Sequence, residues 1–270
     1  MKPYQCGIVL SGGGARGYAH LGVLQALHDY RIEPDAISGA SVGSVVGMMI
    51  ADGKKPCEIV EIFGSPSLFK LVDVNLPVTG LFKLSVFDKT IKKTMQAKTF
   101  EQLQKKLFVT ATNITLAKEE VFSSGDLLSV VKASSSIPVV FPPVKINNCD
   151  YLDGGIMNNF PLEPLEGVCE SIIGVNIIPI GYRNDFTNLR NIAERTFHLS
   201  VSRPVFEKSY KCDLFIQPEG LENYNLLDFS MGEKIFELGY ETAVKELNKL
   251  DPEVLHKLKG KKKIKDVAEG

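Results

Sequence analysis

Nowhere does this chain of 270 residues carry the uninterrupted run of about 20 apolar residues that a membrane-crossing helix needs. Its first residues lack a basic stretch followed by a long apolar core, so the sequence shows no secretory-leader pattern and points to the cytoplasm. Charge of one sign is missing too. With 31 basic and 32 acidic side chains the formal net charge is −1, which gives no global attraction to nucleic acid or to an anionic membrane. Cysteine is sparse, odd in number and scattered. Cys6, Cys57, Cys149, Cys169 and Cys212 form no Cys-x-x-Cys pair, which argues against a disulfide framework and a zinc site and for a reducing compartment. Histidine, with four residues, is in short supply for catalysis.

What the chain does have is glycine at three places where a strand meets a turn. Pro34 to Ile37 reads as a short extended run, and Val42 to Ala51 as an apolar, proline-free helix. Between them stands Ser38-Gly39-Ala40-Ser41-Val42-Gly43, which contains the Gly-x-Ser-x-Gly of a nucleophile elbow. Side chains at Gly39 or Gly43 would collide with the neighbouring strand or block approach to the serine oxygen. The helix that follows aims its first N–H groups and positive dipole end at developing negative charge. The second place is Ser11-Gly12-Gly13-Gly14-Ala15-Arg16-Gly17, after the apolar run Cys6 to Leu10 and before a helix carrying Leu21, Leu24 and Leu27. Such a loop presents several backbone N–H groups in a small concavity, suited to a phosphate or an oxyanion. The third is Asp153-Gly154-Gly155, an acid at the end of the short run Ile146 to Leu152. In a parallel sheet the glycine loop and Ser41 both fall at the carboxyl edge, joined by a right-handed crossover helix, and so lie side by side.

With these three elements in this order, the chain resembles the patatin-like phospholipases of the small bacterial type. Secondary matches are Ala19 to Leu24, Ala133 to Pro143 and Asn159-Phe160-Pro161, and together they cover roughly residues 5 to 180. The resemblance implies an α/β fold with a mainly parallel central sheet and helices on both faces, related to the α/β-hydrolase architecture. It implies a catalytic dyad of Ser41 as nucleophile and Asp153 as base, with an oxyanion hole from Gly12, Gly13 and Gly14. Arg16, Gly17, Gly39, Gly43, Gly154 and Gly155 would support these groups, and the Val42 N–H is an extra candidate donor. The implied reaction is hydrolysis of fatty-acyl esters in phospholipids or related lipids through an acyl-enzyme. No metal or other cofactor is implied; the partner is a lipid or acyl-ester substrate, with peripheral membrane contact as a further expectation.

The residues can be read against that dyad. A serine–histidine–acid triad on an α/β-hydrolase scaffold runs serine, acid, histidine, and only His198 and His256 follow Asp153. His256 stands in a lysine-rich tail, and His198 in an amphipathic helix without a turn signal. His20 shares a helical stripe with Leu24 and Leu27 and reads as a packing histidine, while His28 suits a helix end. A lone aspartate base has a cost, since its ordinary pKa of about 3.9 lies well below the useful range. Asp153 also reads as a turn residue bonding its own backbone. Three other functions stay open: an acyltransferase or thioesterase using Ser41, a lipid-binding relative without activity, and a dinucleotide-binding protein using Gly12 to Gly17 as Gly-x-Gly-x-x-Gly, with Glu33 and Asp35 nearby.

The expected strands are 5–10, 35–38, 107–114, 119–123, 171–178 and 212–217. The expected helices are 16–30, 42–52, 56–63, 86–96, 99–106, 126–134, 187–202 and 230–249, the last opened by a capping box of Ser230 and Glu233. Their alternation describes one doubly wound domain over 1–250 and a basic, flexible tail over 251–270. Residues 63–87 read either as an apolar flap against lipid or as an irregular cover of the core. The proline-stiffened stretch 137–143 is a candidate pocket wall. The lysines of 257–265 are either a contact for anionic lipid or a solvated end.

Overall fold

Ile8, Val9 and Leu10 leave no polar face for water, and the strand they belong to, β1 (Tyr4–Leu10), runs through the middle of the sheet. Cys6, Ile8 and Leu10 enter the larger core, whereas Val9 turns to the opposite face against Phe160, Leu162, Leu165 and Val205. Both faces are therefore covered. The structure, a computed structural model, describes residues 2–65, 91–138, 141–181, 184, 186, 189–226 and 228–260.

The other strands are β2 (Ala36–Ala40), β3 (Lys106–Asn113), β4 (Lys118–Phe122), β5 (Val144–Ile146), β6 (Cys149–Asp153), β7 (Cys169–Val175) and β8 (Leu214–Ile216). They form one sheet in the order β5-β6-β3-β2-β1-β7-β8, with β4 added on β3. From β3 through β8 the neighbours are parallel, while β4 and β6 run antiparallel to β3. The helices are α1 (Gly17–Asp29), α2 (Val42–Ala51), α3 (Pro56–Phe63), α4 (Leu127–Ser134), α5 (Gly155–Asn158), α6 (Glu163–Glu166), α7 (Leu189–Ser209), α8 (Gly232–Leu247) and α9 (Pro252–Lys259). The large core takes Leu21, Val46, Ile59 and Ile235 from α1, α2, α3 and α8. α6 and α7 cover the opposite face. Among the described residues no helix is long and apolar enough to cross a membrane.

β3 determines where the site forms. β4 pairs with Val109–Asn113 and overlaps the partners of both β2 and β6, so it occupies one edge of β3 by itself. β2 and β6 share the other edge, end to end. Ala40 stands opposite Thr110 and Asp153 opposite the next residue, Ala111. The end of β2 therefore meets the end of an antiparallel strand that carries the acid.

Four expectations need correction. Residues 99–106 do not form an α-helix. Phe100–Gln102 make a single 3-10 turn, the N–H groups of Gln104 and Lys105 bond to Ala51 O at the end of α2, and Lys106 already pairs with β2. Of the helix expected at 86–96, residues 91–94 are helical, and it stops where Asp52 accepts the N–H groups of Gln96 and Ala97; residues 86–90 lie outside the described part. The expected capping box is absent, because the Ser230 hydroxyl and N–H donate to Asp228 and α8 begins at Gly232. The chain after residue 250 is not simply a tail. Asp251 caps α9, Leu258 is buried in the large core, and Lys257 Nζ reaches Asp213 at 2.6 Å; residues 261–270 lie outside the described part. In addition α7 runs beyond the expected 187–202, through Pro204 to Ser209. Val201 and Val205 are buried, and Lys208 Nζ donates to Asn158 Oδ1 and Phe160 O.

Candidate active site

The chain leaves β2 at Ala40 and enters α2 at Val42, so one residue must make the whole turn. Ser41 does so with φ 53° and ψ −130°. A side-chain-bearing residue there stores on the order of 1–3 kcal/mol of strain, held by its surroundings. Gly43 is one reason it can be held. A Cβ at that position would strike the carbonyl of Leu10, so only glycine lets the first turn of α2 lie against the end of β1.

Ser41 Oγ donates to Asp153 Oδ2 at 2.6 Å, and the two residues are 6% and 4% exposed. The other carboxylate oxygen, Oδ1, accepts the Gly155 N–H at 2.8 Å. Asp153 thus bonds its own turn with one oxygen and the serine with the other. Burial pushes its carboxyl up from 3.8 to about 6, against the opposing pull of the Ser41 hydroxyl and the Gly155 N–H.

The glycine loop lies against the serine, since a Cβ on Gly12 would stand 2.9 Å from Ser41 Cβ. Its three glycines are not equivalent. Gly12 donates its N–H to Asn159 O at 3.2 Å, which withdraws it from the expected donor set. Among the described residues the N–H groups of Gly13 and Gly14 have no acceptor, and Gly14 takes φ +55°, a conformation suited to glycine. The Val42 N–H, first in α2, likewise has no acceptor among the described residues. Arg16 is buried behind this loop. Its Nε and Nη2 donate to Tyr224 O at 3.0 and 2.9 Å, and Ala15 N–H bonds to Leu226 O at 2.7 Å, fastening the segment 222–226 to the loop.

The histidines fall where the sequence analysis put them, with one outside view. His20 is fully buried with Nε2 2.8 Å from Ser11 O, and burial lowers its pKa to about 4, so it is neutral at pH 7. His28 is exposed near Glu33, and His256 is exposed on α9. The His198 side chain lies outside the described part, as do residues 66–87 of the expected flap and Val139-Val140 of the expected pocket wall. Asp35, needed by the dinucleotide reading, is occupied, because its Oδ2 accepts the N–H groups of Gln5 and Cys6. The sequence analysis missed Ser134, Ser135 and Ser136, which surround the Ser41–Asp153 pair. Ser134 Oγ accepts the Ser41 N–H, Ser135 Oγ donates to Ser41 O, and Ser136 O accepts the Asp153 N–H. Three consecutive serines at a helix end before Ile137-Pro138 were the available signal.

The sequence pattern of the patatin-like phospholipases matches residues 8–166, which take in the glycine loop, Ser41 and Asp153. The chain belongs to the patatin-like phospholipase family. This patatin-like chain is similar to lysophospholipase NTE1 of Kluyveromyces lactis, 31% identical over 288 residues that cover 91% of the chain and 20% of that protein. It is also similar to lysophospholipase NTE1 of Candida glabrata, 33% identical over 269 residues, 86% of the chain and 15% of that protein. It thus spans no more than 20% of the length of these two relatives. In three dimensions the patatin-like chain is similar to VipD from Legionella pneumophila, with a TM-score of 0.59 at 17% identity over 91% of this chain and 67% of that one, a likeness of fold.

Proposed function

We propose that this chain is a serine lipid acyl hydrolase that cleaves fatty-acyl esters of phospholipids or lysophospholipids. The observation that carries the reading is the 2.6 Å hydrogen bond from Ser41 Oγ to Asp153 Oδ2, made by a serine on a strained elbow to a buried carboxylate. In the proposed reaction Ser41 Oγ attacks the ester carbonyl carbon while Asp153 takes its proton. The N–H groups of Gly13 and Gly14, with that of Val42, hold the oxyanion of the tetrahedral intermediate. Its collapse expels the alcohol, which receives the proton from Asp153, and leaves the acyl group on Ser41. Water then attacks the acyl-enzyme, its proton passing to Asp153, and collapse of the second tetrahedral intermediate releases the fatty acid as that proton returns to Ser41 Oγ.

Two physical points support an aspartate in this role. Burial brings the carboxyl to about 6, close enough to neutrality for a useful base, yet leaves it ionised at pH 7 and above. Oxyanion donors also supply much of the catalysis in acyl transfer, about 3–4 kcal/mol for each donor removed. The fatty-acyl substrate class rests on the family and on the relatives' names. Substrate delivery from a lipid surface belongs to the same proposal.

The test is mass spectrometry after treatment with a fluorophosphonate that labels activated serines. A single adduct on Ser41, lost in Asp153→Asn and kept in His198→Ala, is the expected result. Unimpaired labelling of Asp153→Asn, or an unlabelled Ser41 in folded wild type, overturns the dyad. Release of fatty acid from lysophosphatidylcholine micelles, abolished in Ser41→Ala, then tests the substrate class.

A further inference from the structure

Ser134 is the last residue of α4 and is fully buried. Its hydroxyl donates to Thr110 O at 2.7 Å, which spends its only proton and leaves its lone pairs to accept the Ser41 N–H at 3.0 Å. Its backbone carbonyl, left without an intrahelical donor at the helix end, accepts the N–H of Gly154 at 3.1 Å. One residue thus touches the peptide of the serine and the peptide beside the acid, and is anchored to the strand that brings the two together. We infer that Ser134 is a positioning residue that sets the geometry of the Ser41–Asp153 pair, an inference that rests on the reading of that pair as nucleophile and base.

The two ends of Ser41 are held very differently. Its carbonyl accepts from the Ser44 N–H at 2.9 Å, the Val45 N–H at 3.3 Å, the Ser44 hydroxyl at 2.6 Å and the Ser135 hydroxyl at 3.3 Å. Its N–H has Ser134 Oγ as its single acceptor among the described residues. That N–H lies next to the bond about which φ is 53°, the angle that carries the strain. Loss of the Ser134 hydroxyl leaves a buried N–H unpaired directly beside the strained bond and removes its one hydrogen-bond restraint among the described residues. Relaxation there swings Oγ away from Asp153 Oδ2, and a displacement of about 1 Å is enough to lower the rate of a positioned reaction by about a hundredfold. Ser134 makes no contact with a bound ester in this reading, so the loss falls on the chemical step and spares binding.

The experiment compares the rate of fluorophosphonate labelling at Ser41, and kcat and KM for a soluble ester, in wild type, Ser134→Ala, Ser134→Cys and Ser134→Thr. The cysteine variant preserves side-chain volume but offers only a weak acceptor, so it carries the test if alanine fails to fold. Alanine and cysteine are expected to lose about thirtyfold to a hundredfold in labelling rate and kcat, with KM within about twofold of wild type. Threonine, which keeps the hydroxyl, is expected to recover most of the lost rate. A folded Ser134→Cys or Ser134→Ala that labels within about twofold of wild type overturns the inference, as does a loss confined to KM. Failure of the underlying dyad reads differently, as an unlabelled Ser41 in wild type.

Discussion

At the scale of single residues the site turns on one acid whose surroundings set its pKa. Burial raises Asp153 to about 6, so in the proposed mechanism its ionised form, the base, is present above that pH and depleted below it. We predict that kcat/KM on a neutral soluble ester falls about tenfold per pH unit below about pH 6 and is level above about pH 7. A flat profile down to about pH 5 would contradict an aspartate base. The same shift acts on stability with the opposite sense from an ordinary salt-bridged acid. The unfolded chain ionises more readily than the folded one, so this group destabilises the fold at pH above about 6, and the penalty fades as pH falls toward 3.8. A rise from 3.8 to about 6 corresponds to a penalty of about 3 kcal/mol at neutral pH. Asp153→Asn is accordingly expected to melt a few degrees above wild type at about pH 8, with the advantage shrinking as the pH is lowered toward about 4. A lower melting temperature at pH 8 would argue that the ionised carboxylate holds the turn together.

At the scale of elements, the glycine loop, the elbow and the Asp153 turn are fitted to one another by close approach. Gly12→Ala places a methyl 2.9 Å from Ser41 Cβ and against the Asn159 side chain, and relief of the first contact displaces Ser41. If Ser41 is the nucleophile as proposed, displacement of its Cβ makes the variant fold but lose about a hundredfold in kcat and in labelling of Ser41. Labelling at the wild-type rate would mean that the loop is softer than its packing suggests. Arg16 acts on the next layer out. Arg16→Gln removes the two donors to Tyr224 O, leaving that half-buried carbonyl short of partners. The expected consequences are a loss of about 1–3 kcal/mol in urea unfolding and faster amide exchange over 222–226, the segment it fastens. Unchanged exchange there would leave Ala15 N–H as the sufficient fastening.

At the scale of the whole molecule, residues 251–260 belong to the folded body. Leu258 enters the same core as Ile8 and Leu27, Lys257 pairs with Asp213, and Gln5 Nε2 donates to Lys257 O, so α9 locks the first strand from outside. Leu258→Ala is expected to cost about 2–3 kcal/mol in urea unfolding, and truncation after Leu250 more than that. A truncated chain with unaltered stability would restore the reading of this stretch as a dispensable end. Leu258 in the core, the Asp251 cap and the Lys257–Asp213 pair together hold residues 251–260 to the body.

Much of the site was legible from local constraints. A turn made by one serine between strand and helix, a loop of adjacent glycines and an acid before two glycines are demands that short stretches of backbone make on residue type, so they show in the order of residues. The alternation of apolar runs likewise revealed most of the parallel strands and their helices. Other features depend on partners far apart in the chain. Ser41 and Asp153 are 112 residues apart and Ser41 and Ser134 are 93 apart, and no local rule gives their register. That Gly12 is committed to Asn159, that Ser134 lies beneath the elbow, and that Asp153 titrates near 6 were decided by the tertiary structure alone. The reason is physical: β3 gives one edge to both β2 and β6 and drives their ends together, and only their meeting excludes the water that would otherwise hold the acid at its ordinary pKa.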